Sequence, residues 1–459
     1  MSKIEVNQVS SQCGSTLTIG QSGDTVQLAS GATQSGFGRT GTVNWDTTPK
    51  TANFTAVSGN GYFVNTTSSE ITVTLPAGSA GDIVAFKDYL NTWDSNAVKI
   101  TPNGTDKIGG LNTSSRLTTE AQSITLIFID STRGWLDIHD STSNIEGSQF
   151  ISATGGTVIT CGDFKTHIFT GPGTFCVSAA GNSAGSNGVE YMVVAGGGSG
   201  GVGCAGGSGG AGGMRLRTIC SSASPINNPA PLQISAVGYP ITVGAGASSV
   251  GPSPPGANSL RGHSGSDSIF STITSAGGGG GGGGNAGGPN GNAALSGGSG
   301  GGGGHGSGAL GCGNTPPVSP PQGNPGQTAV AVNDDAGAGG GGAGAAATLG
   351  SPSTSADGGA GTYIPTTFIG PTAPSYGETG PQGRFFAGGG GGSVRTSPAN
   401  PVKGSGGLGG GGDGVTGPSN GNAGSTNMGG GGSGGASNSP ATSSGAGGSG
   451  IVMIRYRFQ

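Results

Sequence analysis

Along the first 188 residues, apolar and polar side chains alternate in short bursts separated by polar or glycine-containing turns. KIEVNQV, STLTIG, DTVQLAS and GATQSGFG lie within residues 1–40. Each alternates over too few residues to bury a core alone, and such strands become stable when several chains wind around one apolar axis. Residues 1–40 are therefore expected to be a β stem for attachment and trimerisation. Residues 41–145 carry stronger strand patterns, GYFVN, EITVTLPA, GDIVAFKDY, AVKIT, SITLIFID and GWLDI, parted by turn signals at PAGSAGD, NGTD and DSTRG. In ITVTL, Ile71, Val73 and Leu75 fall on one face and Thr72 and Thr74 on the other, as in a half-buried strand. This stretch predicts an antiparallel β domain, a sandwich or small barrel. TVITC, FKTHIF and TFCVS then predict a β-meander connector over 146–195.

From residue 189 the pattern changes. Of 107 glycines, 24 precede this point and 83 follow it, gathered into eight runs at 196–213, 277–288, 297–308, 337–344, 387–392, 404–412, 429–436 and 445–450. The runs keep no Gly-X-Y period, which excludes a collagen helix. Two apolar strands bracket them, VEYMVV at 189–194 and IVMIRYRF at 451–458. In the second, Val452, Ile454, Tyr456 and Phe458 share a face, and Arg455 and Arg457 share the other. Glycine loses more backbone freedom than any other residue on ordering and has no side chain to bury, so hydrogen bonds must stabilise an ordered run. The extended helix with three residues per turn has no internal hydrogen bonds and points its amides outward, where neighbouring runs can satisfy them. Gly/Ser-rich sequence also suits a flexible linker. Recurrence with distinct intervening loops, together with the closing strand, favours order. Residues 196–459 are expected to form a polyglycine II helix sandwich with loops at its ends.

Composition narrows the function classes. Only 31% of residues are hydrophobic and 8% charged, with net charge −4. The eight basic residues after 188 are scattered singly, which argues against nucleic acid as a partner. The N-terminus lacks the apolar core of a signal peptide and no window has the length of a membrane span, so synthesis in a cytoplasm is expected. The six cysteines show no CxxC spacing, and with four histidines in the chain neither a metal site nor a cofactor is expected. Free thiols fit a reducing compartment better than a Cys161–Cys176 bridge. GxGxxG recurs by chance in such a sequence, and no GK[ST] follows a run. The close carboxylate pair after 188, Asp334–Asp335, reads as a solvated turn or a calcium-ligand pair. His263 and His305 have no legible catalytic partner, so no enzymatic activity is expected.

Binding has better candidates. Segment 362–386 places Tyr363, Phe368, Tyr376 and Arg384 in a loop stiffened by Pro and Gly, the side chains that most often anchor interfaces. For the three aromatics, recognition and packing within the loop both remain open; Phe385 and Phe386 abut a glycine run and are expected to pack on it. Arg215 and Arg217, in loop 214–236, are further candidates.

The segments VEYMVVAGGGSGG, GGAGGMR, YPITVGAGA followed by SDSIFSTITSAGGGGGG, and GGSGIVMIRYRF resemble the glycine-rich domains of bacteriophage tail fibres and adhesins, over most of residues 150–459. KIEVNQV, GSTLTIG and STRGWLDI look like the N-terminal region of the same class. The resemblance implies a homotrimeric virion fibre joined to other tail proteins through its N-terminal region. It also implies that loops at one tip contact a host outer-membrane protein or surface glycan. The alternatives are a structural virion appendage, such as a capsid fibre or tail spacer, and a glycan depolymerase. The long loops 214–236, 309–336 and 345–386 carry no local sign of which end they occupy.

Overall fold

The computed structural model describes residues 43–141, 149–182, 185–219, 226–228, 230–252, 259–285, 292–306, 308–329, 336–351, 354–370, 376–395, 402–436 and 441–459. The expected stem at 1–40 and the pair Asp334–Asp335 lie outside them. The chain divides into two compact units, Met1–Ile145 and Glu146–Gln459.

In the first unit the strands are β1 (Asn44–Lys50), β2 (Phe54–Thr55), β3 (Asn60–Val64), β4 (Ile71–Thr74), β5 (Ile83–Asp88), β6 (Val98–Thr101), β7 (Ser115–Leu117), β8 (Ser123–Asp130) and β9 (Gly134–Ser141). They form two sheets, in orders β1-β3-β5-β8-β9 and β2-β4-β6-β7. Tyr62, Val64, Val84, Phe86, Leu126, Phe128 and Trp135 of one sheet share a core with Ile71, Val73, Leu75, Val98, Ile100 and Leu117 of the other. The ITVTL alternation is thus realised. The antiparallel expectation is corrected: β1, β3 and β5 pair in parallel, as do β2, β4 and β6. Here successive strands switch sheets, so two crossings separate neighbours in one sheet and restore the original direction. Only β5-β8-β9 and β6-β7 are antiparallel.

The second unit contains β10 (Ile151–Thr154), β11 (Thr157–Cys161), β12 (Phe164–Phe169), β13 (Gly173–Ala180), β14 (Gly188–Val194), β15 (Met214–Arg217), β16 (Leu232–Gln233), β17 (Gly238–Thr242), β18 (Ser268–Phe270), β19 (Ile273–Ser275), β20 (Thr362–Ile364), α1 (Thr366–Ile369), β21 (Glu378–Gly380), β22 (Gly383–Phe386) and β23 (Ile451–Arg457). The central sheet has the order β11-β12-β23-β14-β15, with β16 paired to β14. Its two faces alternate as the strand period requires. Val189, Tyr191, Val193, Val452, Ile454 and Tyr456 pack against the sheet β10-β13-β17-β18-β19 through Ile151, Phe175, Val177, Ile241 and Phe270. Met192, Val194, Met214, Leu216, Ile451 and Met453 pack against Ile364, Phe368, Ile369 and Phe386. The meander is corrected as well. β11 and β12 form a hairpin, but β13 leaves for the other sheet and pairs with β10 and β17.

Away from this base, main chain replaces side chains as the core. The backbone N–H groups of residues 206, 209 and 212 donate to carbonyls 435, 432 and 429; those of 207, 210 and 213 donate to 282, 279 and 276; those of 208 and 211 donate to 338 and 341. A repeat of three directed at three neighbouring runs is the hydrogen-bond pattern of polyglycine II. Carbonyls of the same segment accept from three further stretches, the first being the opening part of the same run: 207, 210 and 213 from residues 201, 198 and 195, 205, 208 and 211 from 305, 302 and 299, and 209 from 390. Six hydrogen-bonded neighbours surround one helix. Almost any added methyl group would strike a neighbour: a Cβ on Gly278 would overlap the carbonyl of Gly210, and one on Gly281 that of Gly207. Two serines inside the array are fully buried and donate to main chain. Ser208 Oγ donates to the Gly391 carbonyl and Ser393 Oγ to that of Gly434, at 2.6 and 2.7 Å.

Candidate functional site

The glycine helices give the second unit two ends. At one, residues 195, 213, 276, 387, 428 and 450 or their immediate neighbours hydrogen-bond laterally and run directly into β14, β15, β19, β22 and β23. At the other, a rim is tied by short bridges: Gly203 to Gly284, Ala205 to Ala436, Ala436 to Ser419, Ala336 to Val394, and Val394 to Thr416. Asn285 donates to the carbonyl of His305, whose own N–H donates to that of Ala205. The described residues flanking segments 286–291, 330–335, 396–401 and 437–440 stand on this rim.

The binding candidates read from the sequence lie at the base. Phe368 is corrected from a recognition candidate to a core residue: it is 0% exposed and packs with Ile168, Met192 and Met453. It is held there because Pro365 turns the chain into the single turn α1, which lays Phe368 and Ile369 on the central sheet. Its carbonyl accepts a hydrogen bond from Thr166 Oγ1 at 2.7 Å. Tyr376 is half-buried against the same core. Tyr363 pairs across β20 and β22 with Phe385, ring centroids 5.5 Å apart. The guanidinium of Arg384 donates to Thr379 Oγ1 at 2.7 Å. Segment 362–386 is therefore in large part a layer of the base, and Phe385 and Phe386 are buried as expected. Arg215 and Arg217 project from β15 beside Val193 and Tyr191, the face opposite to the one that Phe368 covers. The six candidates do not converge.

A family model for a glycine-rich domain matches residues 169–457. The chain belongs to the glycine-rich domain family. No curated protein matches it. The match begins at the end of β12 and closes with β23, so the glycine-rich domain takes in the strands of the base as well as the glycine helices.

Sequence reasoning missed the domain's buried charges. Arg455, 4% exposed, lies directly across from Glu190 and donates to both its carboxylate oxygens, at 3.1 and 2.9 Å. Its guanidinium sits 3.7 Å from the centroid of the Phe164 ring and 5.7 Å from that of Phe368. Arg457, on the expected shared face, instead reaches solvent beside Asp163. An acid in one apolar bracketing strand and two bases in the other, Glu190 against Arg455 and Arg457, were the available signal. On the other face, His167 Nδ1 lies 2.7 Å from the Gly155 carbonyl and Nε2 lies 3.1 Å from the Tyr456 hydroxyl. Burial holds its imidazole below the ordinary range, opposed by the bond to Gly155 and aided by nearby Lys165. Among the described residues no group of three or more His, Cys, Asp or Glu side chains is placed to hold a metal ion, and no helix is long and apolar enough to cross a membrane.

Proposed function

We propose that this protein is a non-enzymatic adhesin of a bacteriophage tail fibre, a homotrimer attached to other tail proteins by its N-terminal region. It binds a host outer-membrane protein or surface glycan through the segments whose flanking residues stand on the distal rim. The observation that carries this reading is the pairing of a rigid main-chain core with a rim on which Pro-, Ser- and Asn-bearing segments begin and end, NAGGPNG at 285–291, RTSPANP at 395–401 and SNSP at 437–440. Bond-dense scaffolds that anchor sequence-tolerant loops suit recognition that must change partner without refolding. Recognition is accordingly assigned to the rim and not to 362–386, whose Phe368 is core.

Exchange of segments 286–291, 396–401 and 437–440 for Gly/Ser sequence of equal length tests the reading. Phage carrying the exchanged protein should assemble and fail to adsorb, and purified protein should lose competition for host cells. Normal adsorption by such particles would leave a structural virion appendage as the role.

A further inference from the structure

β15 is the edge strand of the central sheet and carries two arginines on one face. Met214 and Leu216 point into the core, whereas Arg215 and Arg217 stand opposite Val193 and Tyr191 and are half-buried. Two positions apart on a strand, their backbones are about 6.6 Å apart. Asn228 Nδ2 donates to the Tyr191 hydroxyl at 3.2 Å. Burial pushes the Tyr191 phenol up, and Asn228 and both guanidiniums pull it back, which puts the two charges within electrostatic reach of one hydroxyl.

Nothing described in the protein neutralises this pair. The ion pairs of the described residues involve neither arginine. Segment 214–236 contains no Asp or Glu. Arg217 Nε is buried without a hydrogen-bond partner, although its Nη1 donates to the Thr218 carbonyl at 3.3 Å. A buried charged donor without an acceptor is costly, and two adjacent guanidiniums add repulsion. A bound oxyanion relieves both, because the planar guanidinium fork matches carboxylate and phosphate geometry.

We propose that Arg215 and Arg217 form an oxyanion clamp at the edge of the base, which takes a carboxylate or phosphate group. This site is separate from the distal rim and does not rest on the adhesin reading.

Thermal unfolding of the full chain tests it, with inorganic phosphate, an oligo-glucuronate, a neutral oligosaccharide, and chloride at matched ionic strength. A ligand bound only by the folded state raises the melting temperature. The wild type should respond to phosphate or to oligo-glucuronate but not to chloride or the neutral sugar, and the stronger response identifies the source of the oxyanion. Arg217→Gln should weaken that affinity about tenfold, the loss of one charge-assisted bond. The Arg215→Gln/Arg217→Gln variant should lose the response while melting no lower than wild type in chloride. No response of the wild type to either oxyanion, or an undiminished response of the double variant, overturns the proposal. Should the double variant not fold, Arg215→Gln alone decides, since the Arg215 side chain makes no hydrogen bond or ion pair among the described residues: unchanged affinity there is equally fatal.

Discussion

A glycine inside the array is there for the space its missing Cβ leaves. Gly281 has ordinary backbone conformation, yet a Cβ would fall well within 3.0 Å of the Gly207 carbonyl. Gly281→Ala should therefore destabilise the glycine-rich unit by about 1–3 kcal/mol, the range for overpacking. Gly171→Ala, whose Cβ would meet nothing within 4 Å, should stay within about 0.5 kcal/mol of wild type. Denaturant unfolding of both variants measures the difference, and equal midpoints would contradict a main-chain core. Phe368→Ala should cost about 3–5 kcal/mol as a buried aromatic. Tyr363→Ala, half-buried, should cost less. The identity of these residues was plain in the sequence, but their exposure was not. Phe368 and Tyr363 sit five positions apart in one Pro/Gly-rich segment, and only the turn at Pro365 sends the first inward.

Among the elements, β23 has the strongest influence on the fold. It lies between β12 and β14, pairs with both, and contributes to the cores on both faces of the central sheet. Removing residues 451–459 should leave unit 2 unfolded by circular dichroism and protease resistance, and added IVMIRYRFQ peptide should restore part of the fold. The Glu190–Arg455 pair ties β23 to β14. Glu190→Ala should cost about 3–5 kcal/mol because it strands a buried guanidinium, whereas Glu190→Leu with Arg455→Met should be close to neutral. His167 gives β12 and β23 a pH dependence. Its folded pKa lies below the unfolded value of about 6.5. The neutral form is therefore favoured by folding. That stabilisation is fully present above pH 6.5 and is lost as pH falls below it toward the folded pKa. Subtracting the melting curves of His167→Gln from those of wild type between pH 7.5 and 5 should isolate this slope; a flat difference would show that His167 is not the titrating group. The apolar alternation of VEYMVV and IVMIRYRF was legible as two strands. Their pairing across some 260 residues was not, since alternation specifies a face and never a partner.

For the molecule as a whole, stability is expected to rest on the interior hydrogen bonds of the glycine helices and not on the segments joined at the rim. Replacing segments 286–291, 396–401 and 437–440 together should shift the melting temperature of the glycine-rich unit far less than Gly281→Ala alone, because the interior hydrogen bonds survive the exchange. Sedimentation of the full chain checks the trimer, and a monomer at micromolar concentration would exclude it. The sequence alone determined an all-β first unit, a glycine-rich second part, and a core that had to be made of backbone. These follow from local facts: alternation with period two, and long stretches with no side chain to bury. The tertiary structure alone decided that strands of the first unit run parallel, that β13 leaves its hairpin neighbours, and that Arg455 is buried while Arg457 is not. It also decided that the described residues of 362–386 cover one face of the central sheet at the base. A polyglycine helix looks alike to each of its six neighbours, so its own residues cannot specify which runs adjoin it. That choice falls to the strands, serines and loops that join the runs, and these act only once the chain has closed on itself.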